Sequence, residues 1–131
     1  MAKDLNVFDK EYGLLINGAW TSPGTLLDSY NPANGETLAK FTDASDADVD
    51  AAVAAAQEAF KTWRKTTTTE RAAILNKIAD VIDENLELFA LQETLDNGKP
   101  IRETRAADVP LASDHFRYFA SVIRGEEGTA T

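Results

Sequence analysis

At Ser45 the spacing of apolar residues changes from a period of about two to a period of about 3.6, and that change limits what the chain can fold into. Upstream, short apolar runs are separated by turn-forming residues. Downstream, apolar residues recur every three or four positions almost to the end. Strands followed by helices imply an α+β fold: a small antiparallel hairpin and strand unit over residues 1–42, then three to four amphipathic helices over residues 45–125. The 131 residues read as one domain, 1–131.

Within the β unit, Leu14-Leu15-Ile16 and Ala19-Trp20-Thr21 flank Asn17-Gly18, two residues that tolerate positive φ, so the segment predicts a hairpin with a two-residue turn. Ser22-Pro23-Gly24 breaks the pattern. Residues 26–30 and 37–41 are two more extended runs, joined by the dense turn chemistry of Asn31-Pro32-Ala33-Asn34-Gly35. Such a unit is marginal alone and needs helices over one face.

Ser45 followed by Asp48, and Thr67 followed by Glu70, have the spacing of capping boxes and open two helices. On the first, Val49, Ala52, Val53, Ala56, Phe60 and Trp63 share a face expected to pack as intramolecular core. On the second, Ile74, Leu75, Ile78, Val81 and Ile82 form the expected buried face, and Asp83-Glu84-Asn85 predicts a bend before the pattern resumes at Leu86. Residues 93–100 then stop it. Asn97-Gly98 suits a helix C-cap, Lys99 can sit near the last open carbonyls, and Pro100 forbids continuation. A short helix over 101–107 follows. Asp108-Val109-Pro110 reads as a fresh start for a last helix carrying Ala112, Phe116, Phe119 and Ile123.

The formal net charge of -9 argues against nucleic acid or an anionic membrane as partner. With no cysteine in the chain, disulfides, thiolate metal sites and cysteine nucleophiles are excluded from it. Residues 1–10 lack the apolar core of an export signal, and no run approaches the ~20 apolar residues of a membrane span, so a cytoplasmic setting is expected.

Residue chemistry alone yields no active site. The seven glycines never form the close spacing of a phosphate-cradling loop. The single histidine, His115, stands in an apolar helical pattern and reads as a packing residue. Trp20 and Trp63 lie on apolar faces and read as core.

The ordered motifs carry more. Leu15-Ile16-Asn17-Gly18-x-Trp20, Asn31-Pro32-Ala33-Asn34-Gly35-Glu36, Trp63, Glu70-Arg71, residues 93–100 (Glu-Thr-Leu-Asp-Asn-Gly-Lys-Pro) and Asp108-Val109-Pro110 together resemble the N-terminal part of the NAD(P)-dependent aldehyde dehydrogenase superfamily. The similarity spans residues 12–128. Members of that family oxidise aldehydes through a cysteine thiohemiacetal, hydride transfer to the nicotinamide and glutamate-assisted hydrolysis of a thioester.

The resemblance therefore implies an N-terminal segment whose parent enzyme uses NAD or NADP. The catalytic cysteine, the general-base glutamate and the nucleotide-binding turn and sheet lie beyond this stretch, so no catalytic or cofactor-binding residue carries over. The chain alone is expected to be inactive and to bind neither dinucleotide tightly. Its expected partners are the remainder of the subunit and, through exposed apolar helix faces, other copies of itself; a stand-alone assembly module is the alternative. Several family members hold a structural monovalent cation through main-chain carbonyls before Asn-Pro and the aspartate of Asp-Asn-Gly-Lys. By resemblance that places a cation at Ser29, Tyr30 and Asp96, with a further ligand from a later region.

Overall fold

The computed structural model describes residue 8 and residues 11–21 and 24–125. Five short strands, β1 (Glu11–Tyr12), β2 (Leu15–Ile16), β3 (Ala19–Trp20), β4 (Leu26–Tyr30) and β5 (Thr37–Thr42), precede the helices. These are α1 (Asp46–Trp63), α2 (Thr68–Glu84), α3 (Leu86–Asn97), the single turn α4 (Ile101–Glu103), a π-helical segment Thr104–Asp108, and α5 (Val109–Val122). The architecture is α+β. Two compact units can be distinguished, one comprising the chain up to Lys65 with Leu95–Gly98, the other Thr66–Thr94 with the chain from Lys99 onward.

In the first unit, β2 and β3 pair antiparallel, with Leu15 opposite Trp20 and Ile16 opposite Ala19. Asn17 (φ 52°) and Gly18 (φ 75°) both take positive φ, the turn geometry whose twist matches the flanking strands. Thr21 closes the hairpin: its amide donates to the Leu14 carbonyl at 2.8 Å, and its Oγ1 accepts from the Leu14 amide at 2.9 Å.

A second sheet has the order β1-β5-β4. β4 and β5 are antiparallel, setting Asp28 against Lys40 with an ion pair of 3.0 Å. β1 runs parallel to β5, which the sequence pattern did not disclose. Two residues are too few to show a period. The pairing is reinforced from β5, where Thr42 Oγ1 donates to the Tyr12 carbonyl at 3.0 Å.

Both expected capping boxes form. Ser45 and Asp48 exchange side-chain and backbone hydrogen bonds at the start of α1, and Thr67 and Glu70 do so at α2. Asn85 (φ −112°, ψ 19°) leaves helical geometry and produces the expected break between α2 and α3.

The expected core of α1 is corrected: none of its described residues is buried, and Val49, Val53, Phe60 and Trp63 are 52%, 52%, 57% and 41% exposed. Trp20, at 66%, is likewise not core. Amphipathic spacing identifies an apolar face without identifying what covers it.

In the second unit the α2 face is rotated from expectation. Ala72 and Ala79 are buried and Leu75 and Ile82 half-buried, whereas Ile74, Ile78 and Val81 are exposed. The buried residues of α2 are thus small, as are Ser113 and Ala120 on α5, its main packing partner, so the two backbones can approach closely. Arg117 of α5 bridges Asp80 and Asp83 of α2 at 2.9 and 2.6 Å. Phe116 and, just past the end of α5, Ile123 are half-buried, but Ala112 and Phe119 are exposed; Phe119 instead meets Tyr118 edge-on, with centroids 5.3 Å apart.

The last helix does start at Val109 with Pro110 in its first turn, but without a break in the chain, because Asp108 keeps helical angles (φ −66°, ψ −53°). A proline inside a helix lacks a donor and crowds the carbonyl four residues back. The chain absorbs Pro110 by widening the preceding turn, so that the Val109 amide donates to the Thr104 carbonyl.

Thr104 is fully buried at the head of this turn. Its hydroxyl donates to the Ala90 carbonyl at 3.0 Å and lies 2.9 Å from the Thr94 hydroxyl, which is left to act as donor. Sequence pattern did not single out this polar staple, since a threonine in a helical stretch has no distinctive spacing.

Candidate functional site

The residues singled out from sequence meet at the end of α3. Asn97 is its last helical residue and Gly98 follows with φ 80°, the left-handed cap expected from Asn-Gly-Lys-Pro. Glycine is required for a second reason: a Cβ there would stand 2.9 Å from Pro32 Cγ. The helix end therefore abuts the turn between β4 and β5.

That turn is built by asparagine. The buried Asn31 accepts from the Gly35 amide at 2.7 Å through its carbonyl and from the Ala33 amide at 2.9 Å through Oδ1, and its own amide donates to the Glu36 carbonyl at 2.8 Å. Asn34 Oδ1 repeats the device, accepting from the Glu36 amide at 3.0 Å.

On this platform Ser29 Oγ donates to Asp96 Oδ1 at 2.7 Å. The structure thus brings Ser29 and Asp96 together. Tyr30 is adjacent in sequence; the oxygen expected at the site is its main-chain carbonyl, and its hydroxyl donates to Asp28 Oδ2 at 3.3 Å. The β4–β5 register slips between Ser29 and Tyr30, where Ser29 faces Ala39 and Tyr30 faces Thr37, so the ladder is interrupted beside Asp96. The arrangement offers an exposed carboxylate with a hydroxyl held against it. It has a hard-oxygen character suited to a cation and contains no nucleophile or base pair for covalent chemistry.

Lys99 forms an ion pair with Asp108, whose hydrogen bond raises the lysine above its ordinary value. His115, read as a packing residue, is exposed on α5. Among the described residues no group of three or more His, Cys, Asp or Glu could hold a metal ion, and no helix is long and apolar enough to cross a membrane.

Residues 20–131 match the model of the Aldehyde dehydrogenase family, and the chain belongs to that family. It is 50% identical over 125 residues to acetaldehyde dehydrogenase 2 of Cupriavidus necator, covering 94% of this chain and 25% of the relative. An aldehyde dehydrogenase of Rhodospirillum rubrum is 48% identical, with 93% and 24% covered.

Among solved structures, the gamma-glutamyl-gamma-aminobutyraldehyde dehydrogenase of Burkholderia cenocepacia superposes with a TM-score of 0.88 at 38% identity, over 95% of this chain and 26% of that one. An NAD+ complex of an aldehyde dehydrogenase from Bacillus cereus gives 0.81 at 40% identity, over 86% and 24%. The chain spans about a quarter of the length of the curated relatives it matches.

Proposed function

We propose that the chain forms the N-terminal part of an NAD- or NADP-dependent aldehyde dehydrogenase subunit, an oxidoreductase converting aldehydes to carboxylic acids, and that it performs no turnover alone. The observation that carries this reading is the match over residues 20–131 to a family whose curated relatives are about four times as long as this chain. The relative named as an acetaldehyde dehydrogenase supports the reaction class, and the neighbour solved with NAD+ supports the cofactor.

The family's chemistry runs through a cysteine, and this chain has none. Its part is structural. It supplies helices and a capped corner to a body that holds the dinucleotide, and its partner is the remainder of the subunit. The cytoplasm is the proposed setting, where a cysteine-free chain forgoes no disulfide.

The Ser29–Asp96 contact supports a further element of the same reading, a structural monovalent cation held by the main-chain oxygens of Ser29 and Tyr30 and the Asp96 carboxylate.

The test is aldehyde-dependent reduction of NAD and NADP by the purified chain, followed through the absorbance of the reduced nicotinamide. The expected rate is that of buffer alone. Sustained turnover above it, abolished by omitting either aldehyde or dinucleotide, overturns the proposal.

A further inference from the structure

Three asparagines of the chain precede a glycine: Asn17-Gly18, Asn34-Gly35 and Asn97-Gly98. Glycine leaves the amide nitrogen that follows the asparagine unhindered by a side chain. Once hydroxide has removed its proton, that nitrogen can attack the asparagine Cγ. A C–N bond forms, the Cγ–Nδ2 bond breaks, and ammonia leaves after taking a proton from water, so that a five-membered cyclic imide remains. Water then adds to one of the two imide carbonyls and opens the ring, either to aspartate or to an isoaspartyl linkage in which the backbone runs through the side chain.

All three asparagines are exposed, so access to water does not rank them. Geometry does. Ring closure needs the glycine nitrogen to eclipse Cβ about the asparagine Cα–C bond, which for an L residue is a ψ of about −120°, the value found at the first central residue of a type II′ turn. At the hairpin that value is one peptide flip away. Asn17 (φ 52°) and Gly18 (φ 75°) form a type I′ turn. Both primed turns keep φ positive at the first central residue and both join strands of the same twist. Rotating the Asn17–Gly18 peptide plane therefore converts one into the other while Leu15 stays opposite Trp20 and Ile16 opposite Ala19. The flip strains Asn17 at a position that favours glycine, but it breaks no hydrogen bond: among the described residues neither the Gly18 amide nor the Asn17 side chain has a partner. Space is open as well, since a Cβ built on Gly18 would meet nothing within 4 Å.

The other two pairs are held. The Gly35 amide donates to the Asn31 carbonyl at 2.7 Å, and both ends of the Asn34 side chain are tied to Glu36, Oδ1 accepting from its amide at 3.0 Å and Nδ2 donating to its carboxylate at 2.8 Å. Asn97 is the last residue of α3 and cannot leave helical ψ without breaking the cap at Gly98, which is packed so tightly that an added Cβ would stand 2.9 Å from Pro32 Cγ.

We propose that Asn17 is a site of spontaneous deamidation, the first of the three asparagines to pass through the cyclic imide, and that its isoaspartyl product loosens the β2–β3 hairpin. The isoaspartyl linkage adds a carbon to the backbone of a two-residue turn, and the length of that turn sets the register of its strands.

The experiment ages the full chain in mildly alkaline buffer and follows each Asn-Gly peptide by mass spectrometry after proteolysis, with released ammonia measured in parallel. Asn17 is expected to convert at least about tenfold faster than Asn34 or Asn97, each of which must first give up hydrogen bonds or packing. In urea at the same pH the three rates are expected to converge, because each asparagine then precedes glycine in an open chain. Asn17→Gly suits the same turn and is expected to remove the fast phase of ammonia release while leaving the other two rates unchanged. Hydrogen exchange at the Thr21 amide, which bonds to the Leu14 carbonyl, is expected to quicken in the aged chain.

Asn34 or Asn97 converting first in the folded chain overturns the proposal. So do equal rates in the folded chain, or a fast phase that survives in Asn17→Gly. Unchanged exchange at Thr21 after conversion overturns the loosening of the hairpin.

Discussion

Ser29 Oγ donates a 2.7 Å hydrogen bond to Asp96 Oδ1, joining the last part of β4 to the end of α3 across 67 positions of sequence. The bond is to an ionised acceptor but is solvent-exposed, so its expected net contribution is about 0.5–1 kcal/mol. Ser29→Ala and Asp96→Ala should each lower the urea midpoint by that order. The double variant should lose less than the sum, and strict additivity would show that the pair is not coupled.

Gly98→Ala meets two obstacles at once. The left-handed conformation disfavours any Cβ by roughly 1–2 kcal/mol, and the added methyl would lie 2.9 Å from Pro32 Cγ. The expected destabilisation is about 2–3 kcal/mol in equilibrium denaturation. A Gly98→Ala chain as stable as the original would contradict the packing of the corner on Pro32.

Thr104→Val keeps the volume of the side chain and removes its hydroxyl. The Ala90 carbonyl and the Thr94 hydroxyl lose a buried partner, with an expected cost of about 1–3 kcal/mol. Thr104→Ser, which keeps the oxygen and loses a methyl, should cost about 1 kcal/mol. If valine proves the milder change, packing and not the hydrogen bonds holds that site.

Acid should lower the stability of the chain in a defined window. The Ser113 hydroxyl and then Arg117 hold Asp83 below its ordinary 3.8, Ser45 does the same for Asp48, and hydrogen bonds from Thr67 hold Glu70 below 4.5. A carboxyl lowered in the folded state adds stability that is fully present above its unfolded value and is lost as pH falls through its folded value. The urea midpoint should therefore hold down to about pH 4.5 and decline below 3.8, with a shallower decline in Asp83→Asn. Stability that rises on acidification through that range would show these contacts to be absent in solution.

Much of the backbone was legible because its signals are local. The Ser45 and Thr67 capping boxes, the Asn17-Gly18 turn and the Gly98 cap each depend on residues within a few positions, and all form. The β1–β5 pairing and the π-helical turn before Pro110 depend on contacts or adjustments that no short period encodes. Burial was the least legible property. The pattern on α1 marks an apolar face as clearly as that on α2, yet the first is exposed and the second is rotated toward Ala72 and Ala79, because coverage is decided by what packs there.

At the candidate site, the convergence of Ser29 and Asp96 was reachable from sequence only through the family resemblance. Nothing in the composition of either segment specifies a partner 67 positions away. The Tyr30 hydroxyl to Asp28 contact and the Lys99–Asp108 ion pair are side-chain meetings that neither spacing nor the resemblance specified.

The central claim is that this chain is the N-terminal part of an aldehyde dehydrogenase subunit whose chemistry lies in the remainder. Its most direct test is a chimera in which residues 12–125 replace the aligned stretch of the acetaldehyde dehydrogenase from Cupriavidus necator, to which the chain is 50% identical. Aldehyde-dependent reduction of the nicotinamide by the folded chimera is the predicted result. A chimera that folds and binds dinucleotide yet oxidises no aldehyde would contradict it.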